Sequence, residues 1–296
     1  MVKIASSLLC VLGGGTLRCE APIIQISSGT FIVVGQCAGS VFKRYEAHSW
    51  IMAGSAVGLA AAFDAPITGL IFILEKFKPS YGLRQLTIFI IKTICAIAVG
   101  VILIPYFKNF SISLDIGNYS MIWKWDMIYR LLILILSCGI LTWVMQSVVK
   151  CATRSLSAIV SGRNWYLVPI IAGIIVGTIN ACIDVPQVGA GLFLIKDAML
   201  NEGTFTLYQS VGRFFSIIAT AISGCAGGLF LPSLTMGASI GYLIGGLDQH
   251  FFMMIGMAAF LGAMFYSPLT ATALVLEMTL NIHGDYRYLL LLYLHH

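Results

Sequence analysis

The stretch GGGTLRCEAPIIQISSG, Gly13 to Gly29, sets three glycines, an arginine, a glutamate and a proline before an apolar run, in a chain whose neighbouring segments almost avoid charge. Of the 296 residues, 59% are hydrophobic and 10% charged, whereas soluble domains carry about 25% charged residues. Uncharged runs at 131–149, 166–183, 214–247 and 251–276 approach or exceed the roughly 20 residues that a helix needs to cross hydrocarbon. The composition excludes a soluble domain and specifies a membrane protein. Residues 4–12 read as the tail of a membrane helix. The net charge of +5 forms no basic stripe interleaved with aromatics, so no nucleic acid is expected as a partner. Eight scattered cysteines without a CxxC pair point to neither disulfides nor metal. With no Ser/His/Asp set, metal-ligand spacing or P-loop, neither an enzyme nor a cofactor is expected.

Several apolar segments are too short to span alone and are punctuated by Gly and Pro: 23–36 after Pro22, 66–75 from Pro66, 192–200, 233–246 after Pro232, and 268–280 from Pro268. These predict broken helices, with proline in the first turn, where its missing N–H costs nothing. Lys150, Arg154 and Arg163 occur in 150–163 without an acid, whereas Lys108 and Lys124 in 106–127 are balanced by Asp115 and Asp126. Read as loops, the first is cytoplasmic and the second faces outward.

Residues 60–77, AAAFDAPITGLIFILEKF, align with 262–279, GAMFYSPLTATALVLEMT, with six identities that include Phe63/Phe265, Pro66/Pro268, Thr68/Thr270 and Glu75/Glu277. A weaker echo pairs the opening stretch with residues 223–246 and sets Pro22 against Pro232. The order is the same in both halves, as in repeat-built transporters and channels. The expected organisation is one transmembrane domain over 1–296, with a first repeat at about 1–149 and a second at about 164–296. Whether the repeat is inverted stays open at this point.

A helix that begins inside the membrane leaves its first N–H groups unpaired, and each costs several kcal/mol in hydrocarbon unless something satisfies it. An anion does so, helped by the positive end of the macrodipole. A carboxylate at such an end can occupy the anion's place as a tethered competitor and release it when protonated or swung aside. That is one reading of Glu20; the other is a first-turn glutamate favoured by the dipole or paired with Arg18 at the membrane surface.

These residues resemble the CLC chloride channels and chloride/proton antiporters. GGGTLRCEAP is similar to the family's G-[KR]-E-G-P segment, GGLFLP at Gly227 to Pro232 to its G-x-F-x-P segment, and AAAFDAPITGLIFILE to its A-x-F-x-[AS]-P-[IL]-x-G-x-x-F-x-x-E helix. The resemblance implies an all-α polytopic membrane protein, an inverted-repeat bundle of tilted and broken helices, a homodimer with one pore per subunit, and chloride as the transported ion. It places the chain in a lipid bilayer, as in a prokaryotic plasma membrane. By position, Glu20 matches the gating glutamate, Ala21 an amide donor beside it, and Leu229, Phe230 and Leu231 a second amide cluster. Chloride transport gated by Glu20, channel-like or weakly coupled to protons, is the expected function. Chloride/proton antiport, fluoride export and a non-transporting remnant are the alternatives.

The departures bear on coupling. Cys19 stands where the family has its basic residue, with the arginine displaced to Arg18, and Ala21 replaces a glycine. Lys76 stands at the internal proton-relay position, where a lysine cannot act as an acidic relay. Glu75 beside it is a possible substitute, but its repeat partner Glu277 suggests a shared helix-end hydrogen bond. The family's upstream G-S-G-I-P serine has no match, Tyr293 falls too early for the closing tyrosine, and no cytoplasmic regulatory domain follows. The sequence thus reads as a member truncated at both ends. Asp64 reads as the N-cap of the helix at Pro66, Arg213 and Lys92 as interfacial cations, and His250 as a solvated edge histidine.

Overall fold

The computed structural model describes residues 12–18, 20–37, 47–76, 125–160, 166–183, 189–200, 203–225 and 227–279, with isolated positions between them. Cys19, Lys92, Lys108, Asp115, Lys124, Arg163 and Tyr293 lie outside the described residues. Ten α-helices have defined bounds: α1 Glu20–Cys37, α2 Ala47–Phe63, α3 Pro66–Lys76, α4 Asp126–Val160, α5 Leu167–Cys182, α6 Leu192–Met199, α7 Leu207–Ile222, α8 Phe230–Gly245, α9 Gln249–Phe265 and α10 Pro268–Thr279. Among the described residues there is no strand, only one antiparallel bridge between Arg18 and Gly228. The chain forms two compact units. One takes residues 1–22 and 117–268, the other 23–116 and 269–296.

The first unit is built on α8 and α9, which run antiparallel from a one-turn 3-10 helix at Gly246–Asp248. Their close approach follows from glycines spaced by four, Gly237 and Gly241 on α8. A Cβ built on Gly237 would strike the Gly256 carbonyl of α9, and one on Gly241 the Phe252 carbonyl. Small residues at i and i+4 let apolar helices meet backbone to backbone, and dispersion at that range replaces the hydrophobic drive that lipid cannot supply. Met145 and Leu134 of α4, Ile217 of α7, Met236 of α8 and Phe252 and Phe260 of α9 close the core around this pair.

Helix α4 runs 35 residues, well past the expected 131–149 span. Lys150 and Arg154 are therefore exposed residues of the helix itself and not of a loop. No proline or glycine interrupts it after Gly139, and long basic side chains are good helix formers that can reach a polar interface from an apolar helix. Its segment Met127–Leu156 is long and apolar enough to cross a membrane, with a mean hydropathy of 2.1. One face, with Leu132, Ile133, Leu136, Ile140 and Trp143, stays exposed.

In the second unit α1 and α2 pack antiparallel through small residues. Gly54 faces Ser27 and Ser28, Gly58 faces Ile24, and the Ser28 and Ser55 hydroxyls share a 2.9 Å hydrogen bond. Gly69 of α3 meets the Ala56 carbonyl of α2.

The repeated motif breaks its helix in the same way at both copies. Asp64 and Tyr266 take positive φ, 54° and 51°, and the next N–H returns to a carbonyl five residues back, Ala65 to Ala60 at 2.9 Å and Ser267 to Gly262 at 3.1 Å. This is the Schellman ending, in which a left-handed residue closes off the last carbonyls. Asp64 is therefore the terminator of α2 and not the N-cap of α3. A short polar side chain tolerates the left-handed region better than most, and another group caps α3.

That group is Glu277. Its carboxylate accepts from the Ile67 N–H at 3.0 Å, the Thr68 N–H at 2.8 Å and the Thr68 hydroxyl at 2.8 Å. Glu75 reciprocates on α10: it accepts from the Leu269 N–H at 3.0 Å, the Thr270 N–H at 2.8 Å and the Thr270 hydroxyl. With Pro66 and Pro268 at the first helical positions, each carboxylate satisfies the exposed donors of one whole first turn. Each glutamate lies near the C-terminal end of its own helix, so α3 and α10 lie head to tail. The two copies of the repeat are inverted here.

Candidate anion site

The opening stretch folds as its residue types require. Gly14 has φ of 78°, a left-handed turn that ends the helical residues before it; residues 15–18 are non-helical, and α1 begins at Glu20. Pro22 sits in the first turn of α1 and Pro232 in the first turn of α8, as the weaker repeat suggested. This non-helical stretch is tied down on one side by Thr16, fully buried, whose hydroxyl donates to the Ser216 carbonyl at 3.3 Å and to Thr220 Oγ1 at 3.1 Å on α7.

On the other side the two glycine-rich breaks hydrogen-bond to each other. The Gly228 N–H donates to the Arg18 carbonyl at 2.6 Å and the Arg18 N–H to the Gly228 carbonyl at 3.4 Å. This bridge sets the start of α1 against the start of α8, whose N-cap is Leu229. A Cβ built on Gly228 would lie 2.7 Å from Oε2 of Glu20 and 3.0 Å from the Ala21 nitrogen. Only a glycine leaves room there for the carboxylate. The neighbouring Gly227 is closed in the same way by Leu17.

The Glu20 carboxylate is 1% exposed, and neither oxygen has a hydrogen-bond partner on another described residue. Its charged neighbour is Arg18, with Nε 3.7 Å from Oε1. That separation is an ion pair without a good hydrogen bond. A buried carboxylate left without donors is costly, and what stands beside it here are helix N-termini, whose first N–H groups have no partner within their own helix.

The sequence-derived residues thus divide into two sets. Glu20, Ala21 and the chain leading into Leu229, Phe230 and Leu231 converge in the first unit. Phe230 is fixed by stacking on Phe265 of α9 with ring centroids 4.0 Å apart, and Leu231 is buried. Glu75 and Lys76 belong to α3 in the second unit, where both Glu75 oxygens are engaged by the start of α10. Glu20 is buried in the first turn of α1 and pairs with Arg18.

Arg213 and His250 differ from expectation. Arg213 is 1% exposed and its Nη2 donates to the Gly189 carbonyl at 2.8 Å. A guanidinium presents five donors and satisfies the carbonyls of a glycine turn better than a lipid interface could. The Nε2 of His250 pairs with the Met199 carbonyl at 2.9 Å. Sequence reading missed Thr16 and the steric part of Gly228, although both stood in the quoted motifs.

Comparison with known proteins agrees with this architecture. The family model described as voltage gated chloride channel matches residues 1–294. The chain is 27% identical over 308 aligned positions to a voltage-gated ClC-type chloride channel, ClcB, of Salmonella typhimurium, covering 98% of this chain and 69% of that one. It is 28% identical to an H(+)/Cl(-) exchange transporter, ClcA, of Yersinia pestis, covering 95% of this chain and 60% of that one. The crystal structure of a slow cyanobacterial Cl-/H+ antiporter superposes with a TM-score of 0.72 at 23% identity, over 92% of this chain and 65% of the other. An all-helical inverted repeat, two glycine-rich breaks bridged at Arg18 and Gly228, and a family match along nearly the whole length agree: the chain belongs to the voltage-gated chloride channel family.

Proposed function

We propose that this protein carries chloride across a membrane along a path that Glu20 gates, with proton coupling weak or absent. The observation that carries the gate is the buried Glu20 carboxylate, packed on Gly228 beside the starts of α1 and α8 without a donor of its own on another described residue. Such a carboxylate occupies the place that suits a small anion, and neutralising or moving it frees that place. The amides of Ala21, Leu229, Phe230 and Leu231 are the donors that chloride would then meet. Members of this family are transporters and not enzymes, and the reading needs no cofactor.

Weak coupling follows from Lys76 at the relay position and from Glu75, whose carboxylate already holds the start of α10. Antiport remains the second reading, because relatives named as H(+)/Cl(-) exchangers match along 95% of this chain. The exposed apolar face of α4 suits contact with lipid in a bacterial plasma membrane, and the assembly is expected to be a homodimer with one path per subunit.

The test is chloride efflux from proteoliposomes containing the complete protein. Glu20→Gln should remove the dependence of flux on external pH; a dependence equal to wild type removes Glu20 from the gate. A chloride gradient should drive no uphill proton movement, and observing it would restore antiport.

A further inference from the structure

The fold brings together two cysteines that stand far apart in the sequence. Cys10 lies in the helical residues before the first glycine-rich break, and Cys225 opens the second break after the turn that ends α7. Both thiols are free and half-buried, and they are hydrogen-bonded to each other. The backbone holds each in place. The Cys10 carbonyl accepts from the Gly15 N–H at 2.9 Å, and its sulfur fills the space beside Gly15, where a Cβ would lie 2.5 Å from it. Gly224 turns the chain with φ of 76°, and the Cys225 N–H donates to Ser223 Oγ at 3.3 Å. One thiol thus stands at the entry of each break, ahead of the backbone bridge between Arg18 and Gly228.

We propose that Cys10 and Cys225 are a redox pair: a disulfide oxidant joins them, and the bond clamps the two glycine-rich breaks together and slows the passage of chloride past Glu20. This rests on the anion path lying between the starts of α1 and α8. In the reaction, Cys225 gives up its proton and attacks one sulfur of the oxidant, whose S–S bond breaks and releases a thiolate. Cys10 then gives up its proton and displaces the second thiolate from the mixed disulfide. Two thiols are oxidised to one S–S bond, and the oxidant is reduced to two thiols that take up the two protons. Sulfurs already in hydrogen-bond contact need little side-chain rotation to reach the bonded separation of about 2.05 Å. Glu20 is packed so closely on Gly228 that its carboxylate leaves most readily when the breaks part. Backbone hydrogen bonds can open and re-form, whereas a disulfide stays closed until it is reduced.

The experiment treats the complete protein in proteoliposomes with oxidised glutathione, then with dithiothreitol, and reads both the linkage and chloride efflux. Mass spectrometry of alkylated peptides should find Cys10 joined to Cys225 after oxidation, and the melting temperature should rise, as expected when a cross-link closes a long loop. Efflux should slow severalfold on oxidation and recover on reduction. Cys10→Ser and Cys225→Ser should run at the rate of reduced wild type under both treatments, and Cys10→Ala repeats the test with a second small side chain. Failure to find the linked peptide overturns the pair. A linked peptide with unchanged efflux overturns the clamp, and so does slowing that persists in either serine variant. The gate is read separately: if Glu20→Gln keeps the wild-type pH dependence while oxidation still slows efflux through the linked pair, the gate fails and the redox clamp stands.

Discussion

Glu75 and Glu277 close each other's helices: the carboxylate near the end of α3 caps the start of α10, and the carboxylate near the end of α10 caps the start of α3. Each accepts two backbone N–H groups and one threonine hydroxyl, at positions equivalent in the repeat. A charged acceptor at a helix start is favoured both by the hydrogen bonds and by the dipole. The arrangement explains why both copies keep a glutamate nine residues after the proline, and it needs no ion.

The two caps should not be equal in worth. Glu277 is buried and Glu75 half-buried. Glu277→Ala leaves two amides and the Thr68 hydroxyl unsatisfied away from solvent, and it is expected to cost about 2–4 kcal/mol. Glu75→Ala should cost less, and each glutamine variant should fall between its alanine counterpart and wild type. Thermal unfolding in detergent checks the order; equal losses would mean that burial does not set the cost.

Gly228 supplies a steric test of the Glu20 position. Gly228→Ala puts a methyl group 2.7 Å from Oε2, closer than carbon and oxygen can approach, while the Ala21 nitrogen bounds the other side. The carboxylate is the part able to move, so this variant should pass chloride with the flattened pH response of Glu20→Gln. Proteoliposome efflux across a pH series reads the outcome, and a wild-type response would show that Glu20 packs elsewhere.

The sign of the pH response follows from competition. Acidification neutralises the Glu20 carboxylate and removes the competitor, so wild-type efflux should rise as external pH falls and Glu20→Gln should be high at every pH. Efflux that falls on acidification contradicts the tethered-competitor mechanism.

Glycine substitutions separate packing from composition. Gly241→Ala drives a methyl group into the Phe252 carbonyl of α9, and overpacking of a tight backbone contact costs about 1–3 kcal/mol or more. Gly173→Ala on α5 meets nothing within 4 Å and should be neutral or stabilising by about 0.5–1 kcal/mol. Size-exclusion yield and melting temperature distinguish them.

Much of this architecture was legible in order along the chain. Glycine and proline spacing marked the broken segments, and the repeated F-x-x-P and glutamate positions marked equivalent helices. A shared helix-end role for Glu75 and Glu277 was legible too, because equal spacing from a proline implies equal geometry. The partner each would choose was not, since a cap joining residues about 200 apart depends on which helices meet and in what direction. Asp64 misled because aspartate before proline suits an N-cap and a left-handed terminator alike; only Tyr266, which cannot cap with a carboxylate, breaks the tie. The close contact of α8 with α9 stood written as G-x-x-x-G at Gly237 and Gly241, but the spacing does not say which helix faces it. Arg213 escaped because nothing local to a lone arginine tells an interface from a buried glycine turn.

The mutual clasp of Glu75 and Glu277 makes length a constraint as firm as chemistry. Each added residue turns an α-helix by about 100° and advances it about 1.5 Å, so a single insertion between Pro66 and Glu75 would swing that carboxylate off the far helix while leaving its own start still gripped by Glu277. Divergence in either arm should therefore proceed by substitution and not by insertion or deletion, with the ruler from proline to glutamate held at one value in both.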